Sequence, residues 1–326
     1  MKKTFNLPLV NAHTHAAMIA FRGMAEDMPL NKWLSDYIWP MEKEKINPEF
    51  IHAETKKAII EMKKNGIRVF NDMYFFEEEV AKAAEELEMH AVIGEGILDF
   101  PTPSAKNPNE ALEITEKLIN EYKSSKFIKV AVAPHSIYAL SQEYLIKAKD
   151  LAKKYDAILH IHAAETKKEF DECMKKTNLT PIAYMDKIGL LSEKSVLVHC
   201  VWITDRDIEI MSKRKVSVVY CPLSNLKLGS GIAPIVKLLN RGVNVCLGTD
   251  GAASSNRLDI WEAGKMGALI QKGISNDPTV INSKEAVQMM TIKGLQALGI
   301  NEIDGQKIFD MKNTISKKDN YNFLYN

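Results

Sequence analysis

Eight short runs rich in Val, Ile and Ala recur along the chain, at 8–12, 67–73, 91–97, 128–133, 157–162, 195–199, 216–221 and 243–248. Most are continuously apolar, as expected of parallel strands covered on both faces. Helical spacing of apolar residues separates them at 48–65, 77–88, 109–124, 141–155, 204–213 and 234–240. Two further helices follow near 258–271 and 283–298. Strands alternating with helices predict an α/β fold, a (β/α)8 TIM-like barrel. A length of 326 residues is large for one domain but ordinary for this barrel. The reading is one barrel over 1–306 and a polar tail over 307–326, where Lys, Asn and Asp replace any periodicity.

Catalytic groups of such barrels stand at the C-terminal ends of strands. Four of the runs end in ligand-type side chains. The first leads into Val10-Asn11-Ala12-His13-Thr14-His15. Residues two apart on a strand share a face, so His13 and His15 can aim two imidazoles at one point. Imidazole is a common ligand of Zn and related ions. The fifth run ends His160-Ile161-His162-Ala163-Ala164-Glu165, again with two histidines on one face. Glu165, just beyond the strand, can carry protons between an attacking water and a leaving group; it can equally serve a helix N-terminus. His199 ends the sixth run, where a satisfied buried histidine is the simpler reading of that residue alone. Asp250, after the eighth, can ligate a metal, accept a proton or cap a helix. All four sets require one common location.

Composition excludes several classes. The net charge of +1 offers no electrostatic case for nucleic acid or an anionic membrane. No run approaches the roughly 18 apolar residues of a membrane-spanning helix. Cys173, Cys200, Cys221 and Cys246 form no Cys-x-x-Cys, and the apolar stretch after Lys2-Lys3 is too short for a signal segment. Reduced thiols in a cytoplasmic protein are expected. The 16–47 connection is long and carries Phe21, Trp33, Tyr37, Trp39 and Pro40. It reads equally as a wall over the barrel mouth or as surface helix with buried aromatics.

Taken together, the Val-Asn-Ala-His-Thr-His, His-x-x-Glu and Val-His-Cys motifs, Ser224 to Pro234 and Gly248 to Ser254 resemble the amidohydrolase superfamily. Within it the chain is most similar to the 5'-methylthioadenosine/S-adenosylhomocysteine deaminases, from about Leu9 to Gly299. The resemblance implies one catalytic divalent ion, Zn2+ first, with Fe2+, Mn2+ and Ni2+ open. It implies His13, His15, His162 and Asp250 as ligands, Glu165 as proton-shuttling acid and His199 beside the attacking water. Glu42 matches a carboxylate that grips ribose hydroxyls, His135 a histidine contacting the purine, and Ser254 a residue near the base. His160 matches no family role, and packing or support of a neighbour is expected of it.

The implied reaction is hydrolytic deamination of a 5'-substituted adenosine (5'-methylthioadenosine, S-adenosylhomocysteine, 5'-deoxyadenosine or adenosine) to the inosine analogue and ammonia. Alternatives are deamination of guanine, cytosine or aminofutalosine, a triazine-type hydrolase, or a non-catalytic metal-binding homologue. Two departures from the family pattern matter. The family's small β-sandwich is expected to be missing or reduced, which would leave apolar surface to solvent or to a second copy in a homo-oligomer. The 98–125 stretch, where relatives hold an amino-acid carboxylate with arginines, has no Arg; Lys106 and Lys117 are its nominated cations. A lysine is no equivalent of the bidentate guanidinium, which favours uncharged 5'-substituents.

Overall fold

The computed structural model describes residues 8–303 and 306–307. Eight parallel strands carry the architecture: β1 (Leu9–Thr14), β2 (Ile67–Asp72), β3 (His90–Ile93), β4 (Ile128–Val130), β5 (Leu159–Ala163), β6 (Ser195–His199), β7 (Ser217–Tyr220) and β8 (Asn244–Leu247). They pair in order as β1-β2-β3-β4 and β5-β6-β7-β8. Isolated hydrogen bonds bring the two sheets together. Between β4 and β5, Val132 N donates to the Ile158 carbonyl and His160 N to the Val132 carbonyl, both at 2.9 Å. Between β8 and β1, Asp250 N donates to the His13 carbonyl at 3.0 Å. There the Asn11 amide also exchanges two bonds with Thr249, at 2.8 and 2.9 Å. The arrangement is a TIM-like barrel, as expected.

Helices α1 (Pro48–Lys64), α2 (Glu77–Glu86), α3 (Pro108–Tyr122), α4 (Gln142–Lys154), α5 (Lys167–Thr177), α6 (Asp205–Arg214) and α7 (Ile235–Asn240) follow the first seven strands in turn. After β8 come α8 (Ile260–Ser275), α9 (Ser283–Met290) and α10 (Ile292–Ala297). One buried cluster joins Val10, Val69, Val92, Val196, Val198, Val219 and Cys246 with Leu295, Leu298 and Ile300. Side chains from six strands meet in one cluster only by pointing into the barrel. The 292–300 segment is tied to that end of the barrel. Lys293 O accepts from Asn244 Nδ2 at 3.0 Å, and Gly299 O from Lys129 Nζ at 2.6 Å.

Three expectations are corrected. The runs at 91–97 and 128–133 are each broken, with Gly96–Ile97 and Ala133–Pro134 pairing separately. At the break the backbones crowd: a Cβ on Gly94 would lie 2.7 Å from the Ala133 Cβ. The helix near 283–298 is divided at Thr291, whose φ of −131° and ψ of −99° are not helical. Helix α5 escaped the periodicity reading because its buried face is Glu169 and Cys173, not a hydrophobic stripe. The tail expected over 307–326 lies, Lys307 apart, outside the described residues. Among the described residues no helix is long and apolar enough to cross a membrane. The four cysteines are free and buried.

The 16–47 connection resolves into short helical pieces, Ala16–Phe21, Leu30–Lys32, Trp33–Ile38 and Trp39–Lys45. Phe21, Trp33 and Ile38 are buried. Leu30, Trp33, Leu34, Ile38, Trp39 and Glu42 line a cavity of about 580 Å³ over the C-terminal ends of the strands. Both readings of this segment therefore hold in part: it packs by Phe21 and Trp33 and forms the wall, while Tyr37 and Trp39 are exposed.

Candidate active site

Strand exits bring the nominated side chains to the floor of that cavity. His15, His162, Glu165, His199 and Asp250 line it, as do Glu42, His135 and Ser254. His13 lies beneath, fully buried. Its Nε2 is 3.5 Å from Asp250 Oδ1 and 3.3 Å from His162 Nε2. His15 Nε2 is 3.3 Å from the same Asp250 oxygen. Two overlapping triads, His13-His162-His199 and His13-His15-Asp250, each hold their ligand atoms within 4.8 Å of one another. Lys106 and Lys117 do not line the cavity; Lys43 does.

The backbone bends sharply to achieve this. Ala164, His199 and Asp250 have φ of 50°, 75° and 63°. Left-handed conformations in non-glycine residues cost about 1–3 kcal/mol each and persist where the surroundings enforce them. At Ala164 the enforcement is visible. The Glu169 carboxylate accepts from Ala164 N at 2.9 Å and Glu165 N at 2.8 Å. Thr166, not Glu165, caps α5 through Glu169 N. The helix-end role considered for Glu165 is thus filled by its neighbours, and Glu165 faces the cavity. Gly248 lets β8 pass His13 closely: a Cβ there would lie 2.9 Å from the His13 carbonyl and 2.8 Å from Val219 Cγ1.

Hydrogen bonds fix what each inner atom offers. His15 Nδ1 contacts the Met73 carbonyl at 2.5 Å and His162 Nδ1 the His135 carbonyl at 2.9 Å. Carbonyls only accept, so both rings carry a proton at Nδ1; as neutral imidazoles, the form in which histidine binds a metal, they would turn an Nε2 lone pair to the centre. Two such lone pairs beside a buried carboxylate fit a divalent cation with N/O ligands.

The sequence model of the Amidohydrolase family matches residues 8–310. The chain belongs to the amidohydrolase family. A 5-methylthioadenosine/S-adenosylhomocysteine deaminase of Thermodesulfovibrio yellowstonii is 47% identical over 90% of this amidohydrolase and 67% of the relative. A 5'-deoxyadenosine deaminase of Methanothermobacter thermautotrophicus is 41% identical over 90% of this chain and 68% of its own. The crystal structure of an adenosine deaminase from Xanthomonas campestris with bound Zn matches with a TM-score of 0.90. That protein is 35% identical, over 93% of this chain and 69% of that one. The amidohydrolase thus spans about two thirds of the length of these proteins.

Burial sets the electrostatics of this amidohydrolase. Desolvation holds His162 well below the ordinary imidazole range and lowers His199 to about 3. Burial opposes charge on His15 too, but its hydrogen bond to Asp250 and that carboxylate's charge outweigh it, and its pKa is raised. Burial would also raise Asp250, yet the neighbouring His13 and His15 imidazoles outweigh it and hold Asp250 well below the carboxylate range. Glu165 is pushed well above that range by burial, then by Asp250 and Glu169. Glu42 is pushed up to about 7 by burial, against the hydrogen bond from Tyr74.

Sequence reasoning quoted the Ser224 to Pro234 motif but gave its residues no task. Ser224 Oγ donates to Asp250 Oδ2 at 2.5 Å, Asn225 Nδ2 stands 2.9 Å from His199 Nδ1, and Ser230 Oγ is 3.5 Å from Glu165 Oε1. The available signal was position: polar residues directly after a strand of a barrel whose other strand ends bear histidines. Tyr74, the partner of Glu42 at 2.7 Å, gave no signal at all.

Proposed function

We propose that this amidohydrolase deaminates the adenine ring of a 5'-substituted adenosine, giving the inosine analogue and ammonia. The observation that carries it is one cavity with a metal-type donor set on its floor and a buried carboxylate, Glu42, on its wall. A ribose grip has no use for a free base or a triazine. The names of the similar proteins favour the same substrates. The reading includes a cytoplasmic location, which four buried free thiols suit.

In this reading His13, His15, His162 and Asp250 hold one divalent ion, Zn2+ first. That ion would lower the pKa of a water toward neutrality. With the Asn225 amide oriented as it stands, His199 accepts at Nδ1 and carries its proton on Nε2, which supports reading it as a donor and not a ligand. His199 therefore serves as a donor to the attacking oxygen, where charge develops. Asp250 takes a proton from the attacking water. Glu165, whose acid form burial favours, gives its proton to the ring nitrogen as the oxygen adds to C6. Glu165, now a carboxylate, takes the proton of the new C6 hydroxyl and passes it to the amino group, so that the C6–N bond breaks and ammonia leaves; the proton held by Asp250 then restores Glu165. Glu42 orients the ribose, and His135 and Ser254 contact the base.

The test is ammonia release and loss of adenine absorbance with Zn-loaded protein and, in parallel, 5'-methylthioadenosine, S-adenosylhomocysteine, 5'-deoxyadenosine and adenosine. Turnover of the uncharged nucleosides, with S-adenosylhomocysteine slower, is expected. No turnover of any by folded, metal-loaded protein would reject the proposal.

A further inference from the structure

His160 is the strand-end histidine that the proposed chemistry leaves unused. It is fully buried, on the same face of β5 as His162 and two residues earlier. The nitrogens that face away from the centre show its place. For His15 and His162 those atoms meet backbone carbonyls, which can only accept. His13 differs: its Nδ1 is 3.1 Å from His160 Nε2. An imidazole can give or take, so this contact sets the His13 tautomer only through His160.

Asn71, the other polar side chain against the His160 ring, does not decide the direction. Its Nδ2 is 3.2 Å from His160 Nδ1 and 3.3 Å from His160 Nε2. A donor aligned with one in-plane lone pair would stand clearly closer to that nitrogen. Near-equal distances put the amide over the ring, where it engages neither lone pair. Donation to the Ala12 carbonyl at 2.9 Å holds it there, next to His13 in the chain. The proposed ligation decides instead: a His13 that offers Nε2 to a cation carries its proton on Nδ1, and His160 Nε2 is the atom in reach to accept it.

We infer that His160 accepts the Nδ1–H of His13, fixing the tautomer and ring orientation that leave His13 Nε2 open to the metal. His160 is a positioning residue and not a ligand. The reverse bond would place a proton on His13 Nε2, 3.3 Å from His162 Nε2, where it would compete with any cation. Outer partners of metal-bound histidines raise ligand basicity, and their loss weakens metal binding about 10–100-fold. The inference rests on the proposed ligation by His13.

The experiment is competition of metal-free protein with a chelator for Zn2+, on wild type, His160→Leu and His160→Gln, with the melting temperature of each metal-free protein recorded. Leucine removes the acceptor; glutamine offers an amide oxygen at similar reach. His160→Leu should bind Zn2+ about 10–100-fold more weakly and His160→Gln close to wild type. Equal affinity in the leucine variant, or equal weakening in both, would overturn the inference in favour of packing. Should His160→Leu not fold, nitrogen-15 histidine spectra of wild type read the tautomer directly. A protonated His13 Nδ1 supports the inference, and a protonated Nε2 overturns it. Wild type that binds no Zn2+ would remove the metal reading itself, a failure distinct from the others.

Discussion

On the floor of the cavity Asp250 is held by Ser224 Oγ at 2.5 Å, by its own Gly251 amide at 2.8 Å and between two imidazoles. On the wall Glu42 has the Tyr74 hydroxyl at 2.7 Å, and Trp39, Ile38, Ile46 and Phe100 line the same cavity. The floor is over-determined: strained strand exits, each locked by neighbouring polar groups. The wall is apolar packing with a polar tie. A site whose chemistry is common and whose substrates differ would be built this way. Reaction is set by fixed atoms on strands, and selection by a surface that tolerates exchange.

The largest predicted effect strikes the floor. Glu165→Gln keeps the shape and removes the proposed acid. Turnover should fall by about 10²–10⁴-fold. Metal content should be unchanged, because Glu165 is not among the proposed ligands. Ammonia release paired with metal analysis reads both. Loss of metal in this variant would erase the distinction between ligand and acid.

Next is the wall's polar tie. Glu42→Ala removes a charge-assisted contact worth about 1.5–3 kcal/mol. The kcat/KM for nucleosides should therefore drop about 10–100-fold, while the small activity expected on free adenine stays nearly constant. Equal losses on both would make Glu42 part of the floor and not a ribose grip.

A third change separates the regions by stability. Gly248→Ala forces a Cβ against the His13 carbonyl and Val219, and overpacking of this kind costs about 1–3 kcal/mol. Leu34→Met on the wall is nearly volume-conserving and should cost under about 1.5 kcal/mol. Denaturant titration of both decides whether the floor is as rigid as described.

The two regions were also unequally legible. The floor could be read because strand periodicity and ligand chemistry coincide: His13, His15, His162, His199 and Asp250 each end an apolar run. The barrel was legible for the same reason, since parallel strands buried on both faces are continuous apolar runs. What stayed hidden had no period. Helix α5 buries a glutamate, and that glutamate holds the turn of Glu165. Tyr74 reaches Glu42 across |i−j| of 32, which no local pattern encodes. Lys106 and Lys117 were nominated by sequence neighbourhood, whereas Lys43 reaches the cavity from another segment.

That last difference supplies the smallest and most selective prediction. In the proposed function the 5'-substituent of the nucleoside meets the wall. Leu98, Phe100, Pro101, Thr102 and Pro103 line the cavity from the segment after β3; none carries a positive charge, and the Thr102 hydroxyl donates to the Ala105 carbonyl. Placing that group against them costs desolvation without return. Lys43 lines the cavity but is exposed, and an exposed ion pair contributes about 0–1 kcal/mol. S-adenosylhomocysteine should therefore be a poorer substrate than 5'-methylthioadenosine. Lys43→Ala should lower its kcat/KM by no more than about fivefold, and leave that of 5'-methylthioadenosine unchanged. Faster turnover of S-adenosylhomocysteine, insensitive to Lys43, would mean that the wall presents a cationic clamp from another segment. The contrast between an exacting floor and a permissive wall would then fail at the wall.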